Sequence, residues 1–135
     1  MADLGSATIA CLHCLSPECA LQVLPMLPGV GFNPVSLLLL LSFHKPVLPV
    51  DTHVHRVTQR LGLIGPKVSA EKAHTLLLSY LPADATELFN FHKHFYWHGH
   101  RVCTWYSPYF YSFFLSPLFY FLLSFYTSFL FFPPF

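Results

Sequence analysis

Charge is scarce in this chain. Only 10% of its 135 residues are Asp, Glu, Lys or Arg, and the formal net charge is +1 with its nine histidines neutral. Such a balance supplies no broad basic surface that would by itself argue for nucleic acid. Beyond Arg101 charge is missing altogether: Val102 to Phe135 is uncharged and holds most of the fifteen phenylalanines. The start Met1-Ala2-Asp3-Leu4 lacks the basic residues and long apolar run of a secretory signal. Its four cysteines fit no secreted disulfide framework, so a reducing cytosol is the expected setting. Internal repeats are missing too, and no β-type alternation runs through the first hundred residues, which excludes a sheet-based body. The length allows one domain with a modest core.

What is present is a succession of helix signals. Ser16-Pro17-Glu18 combines an N-cap hydroxyl, proline at the first helical position and an acid near the positive end of the dipole, and opens a short helix ending by Pro25. Asn33-Pro34 reads as a second cap-plus-proline start, and the uniformly apolar Val35 to Phe43 predicts a fully buried helix. Asp51 can cap a helix through Val54, Val57 and Leu61 that Gly62 closes. Ser69 opens a helix whose Ala73, Leu76, Leu77, Tyr80 and Leu81 form one apolar stripe, with Pro82 ending it. Asp84 and Glu87 form a capping-box pattern ahead of a helix carrying Leu88, Phe91 and Phe95 and ending at Gly99. The body is therefore predicted to be all-α. The chain divides into a poorly defined segment 1–14, a helical region 15–105 and an uncharged aromatic tail 106–135.

Two motifs carry chemistry. Leu27-Pro28-Gly29-Val30-Gly31 is a turn whose glycines let a nucleic-acid backbone approach, with the amides of Gly29, Val30 and Gly31 facing a phosphate. Asp51 follows in Pro49-Val50-Asp51-Thr52-His53-Val54-His55-Arg56-Val57, far enough after Asn33 for a helix and a return loop. A late His98-Gly99-His100-Arg101-Val102-Cys103 completes the set. In this order and spacing, from about Leu15 to Cys103, the chain resembles the helix-hairpin-helix DNA glycosylases, and among them the endonuclease III branch.

The resemblance implies a partial helix-hairpin-helix glycosylase bundle with an apolar aromatic C-terminal tail. Its activity would be excision of damaged bases from duplex DNA after base flipping. The expected partner is double-stranded DNA bearing a damaged base or abasic site, and the expected state is a cytoplasmic, nucleoid-associated monomer. The family's further helices would precede Leu15. Leu27, Gly29, Val30 and Gly31 would contact DNA, and Asp51 would be catalytic, since glycosidic cleavage passes through a cationic sugar that a carboxylate stabilises. Asp51 as a plain helix cap is the competing reading, and one residue can serve both. Asn33 stands where bifunctional members carry a lysine that forms a Schiff base, so strand-nicking lyase activity is expected to be absent. Phe32 and Pro34 also depart from the family's usual residues. Cys103 matches the first ligand of the family's C-x6-C-x2-C-x5-C iron-sulfur motif, but Phe110, Phe113 and Phe119 occupy the other three positions. One thiolate cannot hold a 4Fe-4S cluster, so no cofactor is expected.

Other readings stay open. A catalytically inactive DNA-binding remnant keeps the hairpin without the chemistry. Asp51-Thr52-His53-Val54-His55 also resembles the first-strand motif of metal-dependent hydrolases, although histidines two apart on a helix face different ways. Cys11, His13, Cys14 and Cys19 contain zinc-binding residue types at an uncommon spacing. His92, His94, His98 and His100 read as an exposed histidine-rich helix. The 18 uncharged residues from Leu118 to Phe135 raise a membrane helix. Pro133, Pro134 and the aromatic and serine content favour a collapsed or disordered tail instead.

Overall fold

The computed structural model describes residues 11–106 and 117–131. The expectations for Phe110 and Phe113, for the segment 1–10 and for the terminal prolines lie outside those residues. Within them the chain is helical, in the order α1 (Cys11–Cys14), α2 (Pro17–Val23), a 3-10 turn (Leu24–Met26), α3 (Phe32–Phe43), α4 (Thr52–Arg60), α5 (Ala70–Tyr80), α6 (Ala85–Arg101) and α7 (Pro117–Phe131).

The cap signals account for most helix starts. The Ser16 hydroxyl accepts the Cys19 amide at 3.2 Å, Ser69 accepts the Lys72 amide at 3.4 Å, and Asp84 accepts the Glu87 amide at 3.0 Å. Each cap satisfies one of the amides that a first turn leaves without a helical acceptor. Gly62, in the left-handed region at φ 75°, closes α4 as predicted.

Helix α3 differs from its sequence reading in two ways. It begins at Phe32 with Gly31 as N-cap, so Asn33 and Pro34 sit inside the first turn, where a missing N–H costs no helical bond. Nor is it fully buried. Val35, Ser36, Leu39 and Leu40 face inward, whereas Leu38 is 37% and Leu41 49% exposed. Its neighbours α2 and α6 cover one face, and an apolar composition cannot supply cover for the other. Tyr80, at 60% exposure, likewise leaves the stripe of α5 that Ala73 and Leu77 bury.

Among the described residues two apolar clusters form the interior. The larger gathers Leu48, Val54, Val57, Leu77, Leu88, Phe91, Phe95 and Leu118, and the smaller packs Ala20, Val35, Leu39 and Val47. Leu118 brings α7 into the main core at 1% exposure, with Phe121 and Leu122 beside it. The expected collapsed or disordered tail is thus a helix over Pro117–Phe131, whose first two turns bring Leu118, Phe121 and Leu122 onto the main core beside α6. No helix among the described residues is long and apolar enough to cross a membrane.

The tightest joint is between α4 and α6. Gly99 lies two residues inside α6, which continues to Arg101 instead of ending at the glycine. A β-carbon placed there would stand 2.9 Å from the His53 β-carbon, 3.1 Å from the His53 carbonyl and 3.1 Å from Val57. Glycine is therefore used for close approach, and its helix-weakening effect is outweighed by packing. We expect Gly99→Ala to push the two helices apart and destabilise the fold by about 2 kcal/mol, within the usual range for overpacking. Urea denaturation of the full chain checks it; unchanged stability would mean that the joint is looser than the structure shows.

Candidate functional site

Between α3 and α4 the chain runs through Pro46-Val47-Leu48-Pro49-Val50 to Asp51 without helix or ladder, yet this stretch is buried: Val47 is 1%, Leu48 0% and Val50 7% exposed. Buried carbonyls in such a loop need donors from elsewhere. Two histidines provide them. His74 of α5 donates from Nδ1 to the Leu48 carbonyl, and His92 of α6 donates from Nδ1 to the Pro49 carbonyl at 3.0 Å. Because each acceptor is a carbonyl, the proton sits on Nδ1 in both rings.

Asp51 stands at the end of this loop as the N-cap of α4, half-buried, its Oδ1 accepting the Val54 amide at 2.7 Å. The predicted cap is present, and it fixes the carboxylate at the positive end of the helix. Burial pushes His92 below the ordinary histidine value of 6.5, against the smaller upward effects of its Pro49 bond and the Asp51 charge. Burial also lowers His74, opposed by its Leu48 bond. His98 is lowered by burial alone. These positions correct the reading of α6 as an exposed histidine-rich helix, since His92 and His98 are 8% and 7% exposed. They lie on the face that carries Leu88, Phe91 and Phe95 into the core.

The hairpin precedes α3. Gly29 adopts φ 80°, which makes glycine necessary there, whereas Gly31 has φ −87° and ψ 168°, open to any residue. Leu27, Gly29 and Gly31 are exposed and Val30 half-buried. The Val30 amide turns inward to the Leu27 carbonyl at 3.1 Å, so the turn does not present three successive outward amides. Gly31 gives α3 no side-chain cap, which leaves the dipole's positive end without a protein acceptor. Asn33 is the second residue of α3, and its buried Oδ1 has no hydrogen-bond donor. The head of α3 meets the loop before Asp51 through His74, whose ring takes Phe32 edge-on at 4.8 Å while holding Leu48.

On the other side of α4, two arginines grip the chain leaving α6. Arg56, 9% exposed, donates to the Gly99 carbonyl at 2.7 Å and the Cys103 carbonyl at 3.1 Å. Arg60 donates to the Thr104 carbonyl at 2.7 Å, the Trp105 carbonyl at 3.0 Å and the Cys103 sulfur at 3.1 Å. Neither the histidine pair nor this arginine pair was legible in sequence, because their acceptors are main-chain carbonyls that every sequence has.

The histidines of the Asp-Thr-His-x-His stretch separate. His53 meets Arg56 at 3.2 Å through Nδ1 and packs edge-on against Tyr96, whereas His55 donates from Nε2 to the Val68 carbonyl at 2.7 Å. Cys14 and Cys19 are free thiols, the first exposed and the second half-buried, and His13 packs edge-on against Phe43. Among the described residues no three His, Cys, Asp or Glu side chains are grouped to hold a metal ion.

Comparison with known proteins points one way. The chain is 42% identical over 65 residues to Endonuclease III of Thermotoga maritima, covering 48% of itself and 30% of that protein. It is 39% identical over 83 residues to Endonuclease III of Buchnera aphidicola subsp. Baizongia pistaciae, covering 60% of itself and 36% of the relative. The chain thus spans about a third of the length of these curated relatives. In structure it resembles a trapped endonuclease III–DNA covalent intermediate, with TM-score 0.59, 30% identity and coverage of 65% of this chain and 40% of that one. A non-covalent endonuclease III–DNA complex gives TM-score 0.59 and 31% identity, with the same coverage. No family model matches.

Two expectations arise from this geometry. The unfolded chain takes up protons near pH 6.5 that the buried His74, His92 and His98 refuse in the folded state. Stability is therefore complete above that pH and falls as pH drops below it, until the folded rings also protonate. Melting temperatures between pH 8 and pH 5 should show the decline, and replacing His74 and His92 together by Asn should make it shallower, leaving the share of His98. Separately, Gly29→Ala should cost about 1 kcal/mol through its positive φ, while Gly31→Ala, whose β-carbon would meet only Pro34 at 3.7 Å, should leave stability nearly unchanged. Denaturation of both variants distinguishes the two roles.

Proposed function

We propose that this chain, which is endonuclease III-like and of the helix-hairpin-helix glycosylase kind, excises damaged bases from duplex DNA by hydrolysing the N-glycosidic bond. The observation that carries the reading is the Asp51 carboxylate, locked on the head of α4 in a chain that is similar to endonuclease III. Oδ1 serves the cap, leaving Oδ2 for chemistry. As the bond between the sugar carbon and the base breaks, its electron pair leaves with the base, and the carboxylate stabilises the positive charge left on the sugar. Water then adds to that carbon and passes its proton to the carboxylate, which acts as general base, and the departed base anion takes up that proton, which restores the carboxylate. Substrate would be held by the turn around Gly29 and the uncapped start of α3, both suited to a phosphate. Damaged-base or abasic duplex DNA is the partner this arrangement supports.

Lyase chemistry is outside this proposal. The Asn33 amide cannot form an imine, and Lys45, beyond the far end of α3, donates its amine to the Leu15 and His13 carbonyls. The residues also do not fit the iron-sulfur cluster usual in endonuclease III. Cys103 is held by Arg60, and Phe119, at another ligand position, packs edge-on against Tyr120. Phenylalanine offers iron no ligand, so the reaction is written without a cluster.

Base release from a duplex carrying an oxidised pyrimidine tests the reading, with Asp51→Asn expected to lower the rate at least ~100-fold as a lost electrostatic and general-base group. Borohydride should trap nothing with abasic DNA, whereas Asn33→Lys should yield a trapped complex that weakens in an Asp51→Asn background. Trapping by the unaltered chain would reveal another amine nucleophile. Duplex binding without base release would identify a DNA-binding protein that lacks the chemistry.

A further inference from the structure

We infer that His74 and His92 are positioning residues for Asp51: from two different helices, their Nδ1–H groups hold the successive carbonyls of Leu48 and Pro49 and thereby set where the carboxylate stands. The inference rests on the glycosylase reading of Asp51 and deepens it.

The loop from Pro46 to Val50 has little else to define its course. Proline at 46 and 49 removes two donors, and the backbone bond near its start is from the Val47 amide to the Lys45 carbonyl at 2.8 Å. Apolar burial of Val47, Leu48 and Val50 keeps the loop inside but does not specify the orientation of its peptide planes. Hydrogen bonds do, and the two imidazoles supply them from partners 26 and 43 residues away in sequence. Each donor is mounted on a helix that is itself anchored. His74 stands between the buried Ala73 and Leu77 of α5, and His92 beside the buried Phe91 of α6, with its ring stacked on Tyr96 at 6.0 Å. A carbonyl held in this way two residues before a helix cap leaves Asp51 one short, constrained step to the Val54 amide.

The choice of imidazole has a chemical reason. A lysine or arginine donor at the same place would set a full positive charge beside Asp51 and cancel the field that a cationic sugar needs. Burial keeps both rings neutral, so they orient the loop without that effect. His74 does a second thing: its edge contact with Phe32 ties the Leu48 carbonyl to the residue beside Asn33. One ring therefore joins the first turn of α3 to the loop that delivers the carboxylate, and the hairpin and Asp51 are held in mutual register.

The test compares His74→Leu and His92→Leu with His74→Asn and His92→Asn in the full chain, with helical content checked by circular dichroism. Asparagine keeps an N–H donor close to the Nδ1 position, and leucine removes it. Three quantities are read: hydrogen exchange of the Val54 amide against that of Thr58, single-turnover base release, and affinity for the same duplex. The leucine variants should speed Val54 exchange at least ~10-fold while Thr58 stays protected. Base release should slow ~10–100-fold, the scale of a small misplacement, with duplex affinity within about twofold of the unaltered chain. The asparagine variants should restore most of both losses. Unchanged Val54 exchange in folded leucine variants would overturn the inference, and so would asparagine variants that lose as much as leucine. Should a leucine variant fail to fold, its asparagine counterpart decides by retaining or losing the Val54 protection. If the unaltered chain releases no base, the glycosylase reading falls, and the Val54 amide still decides whether the histidines position Asp51.

Discussion

The rest of the molecule depends on how closely α4 and α6 approach at Gly99. With hydrogen in place of a side chain, the α6 backbone lies against His53 and Val57, and Arg56 reaches across the joint to the Gly99 carbonyl. That approach puts His92, two turns earlier on α6, beside the loop that ends at Asp51. It also lets Phe91 and Phe95 share an interior with Val54 and Val57. A wider separation would leave the Pro49 carbonyl without its donor and Arg56 without an acceptor, so both polar systems inherit their geometry from one steric fact.

Local chemistry made much of the fold readable from sequence. Ser16, Asp51, Ser69 and Asp84 each cap the helix that follows because a short polar side chain reaches the amide three residues on, a relation internal to a few residues. Gly62 closes α4 for an equally local reason. The misjudged features all depend on what lies opposite. Leu38 and Leu41 are as apolar as Leu39 and Leu40, and only the placement of neighbouring helices separates the exposed from the buried. Gly99 looks like a helix terminator until its neighbour across the joint is seen, and the tail looks unstructured until Leu118 finds the core.

The candidate site divides in the same manner. Asp51 was visible because its role as a cap and its spacing from the hairpin are both written in the chain. His74 and His92 are visible in the sequence only as residue types, and the pattern of α6 puts His92 on an exposed surface. Nothing in a sequence marks which carbonyls will be buried in a loop without secondary structure, so nothing marks which imidazoles will serve them. Asn33 shows the converse. Its identity was read directly, but the burial of its Oδ1 without a donor belongs to the structure.

The grip of Arg56 and Arg60 on the stretch from Gly99 to Trp105 is made almost wholly through peptide oxygens. A guanidinium that reads main chain is indifferent to the side chains attached to it. Apart from Gly99, whose own requirement is steric, and Cys103, whose side chain is buried in the main core, that stretch can change in composition while its path stays fastened to α4. Side-chain change just past the end of α6 is thereby uncoupled from the architecture before it: Val102, Thr104 and Trp105 can vary while the helical body keeps its hold on their path.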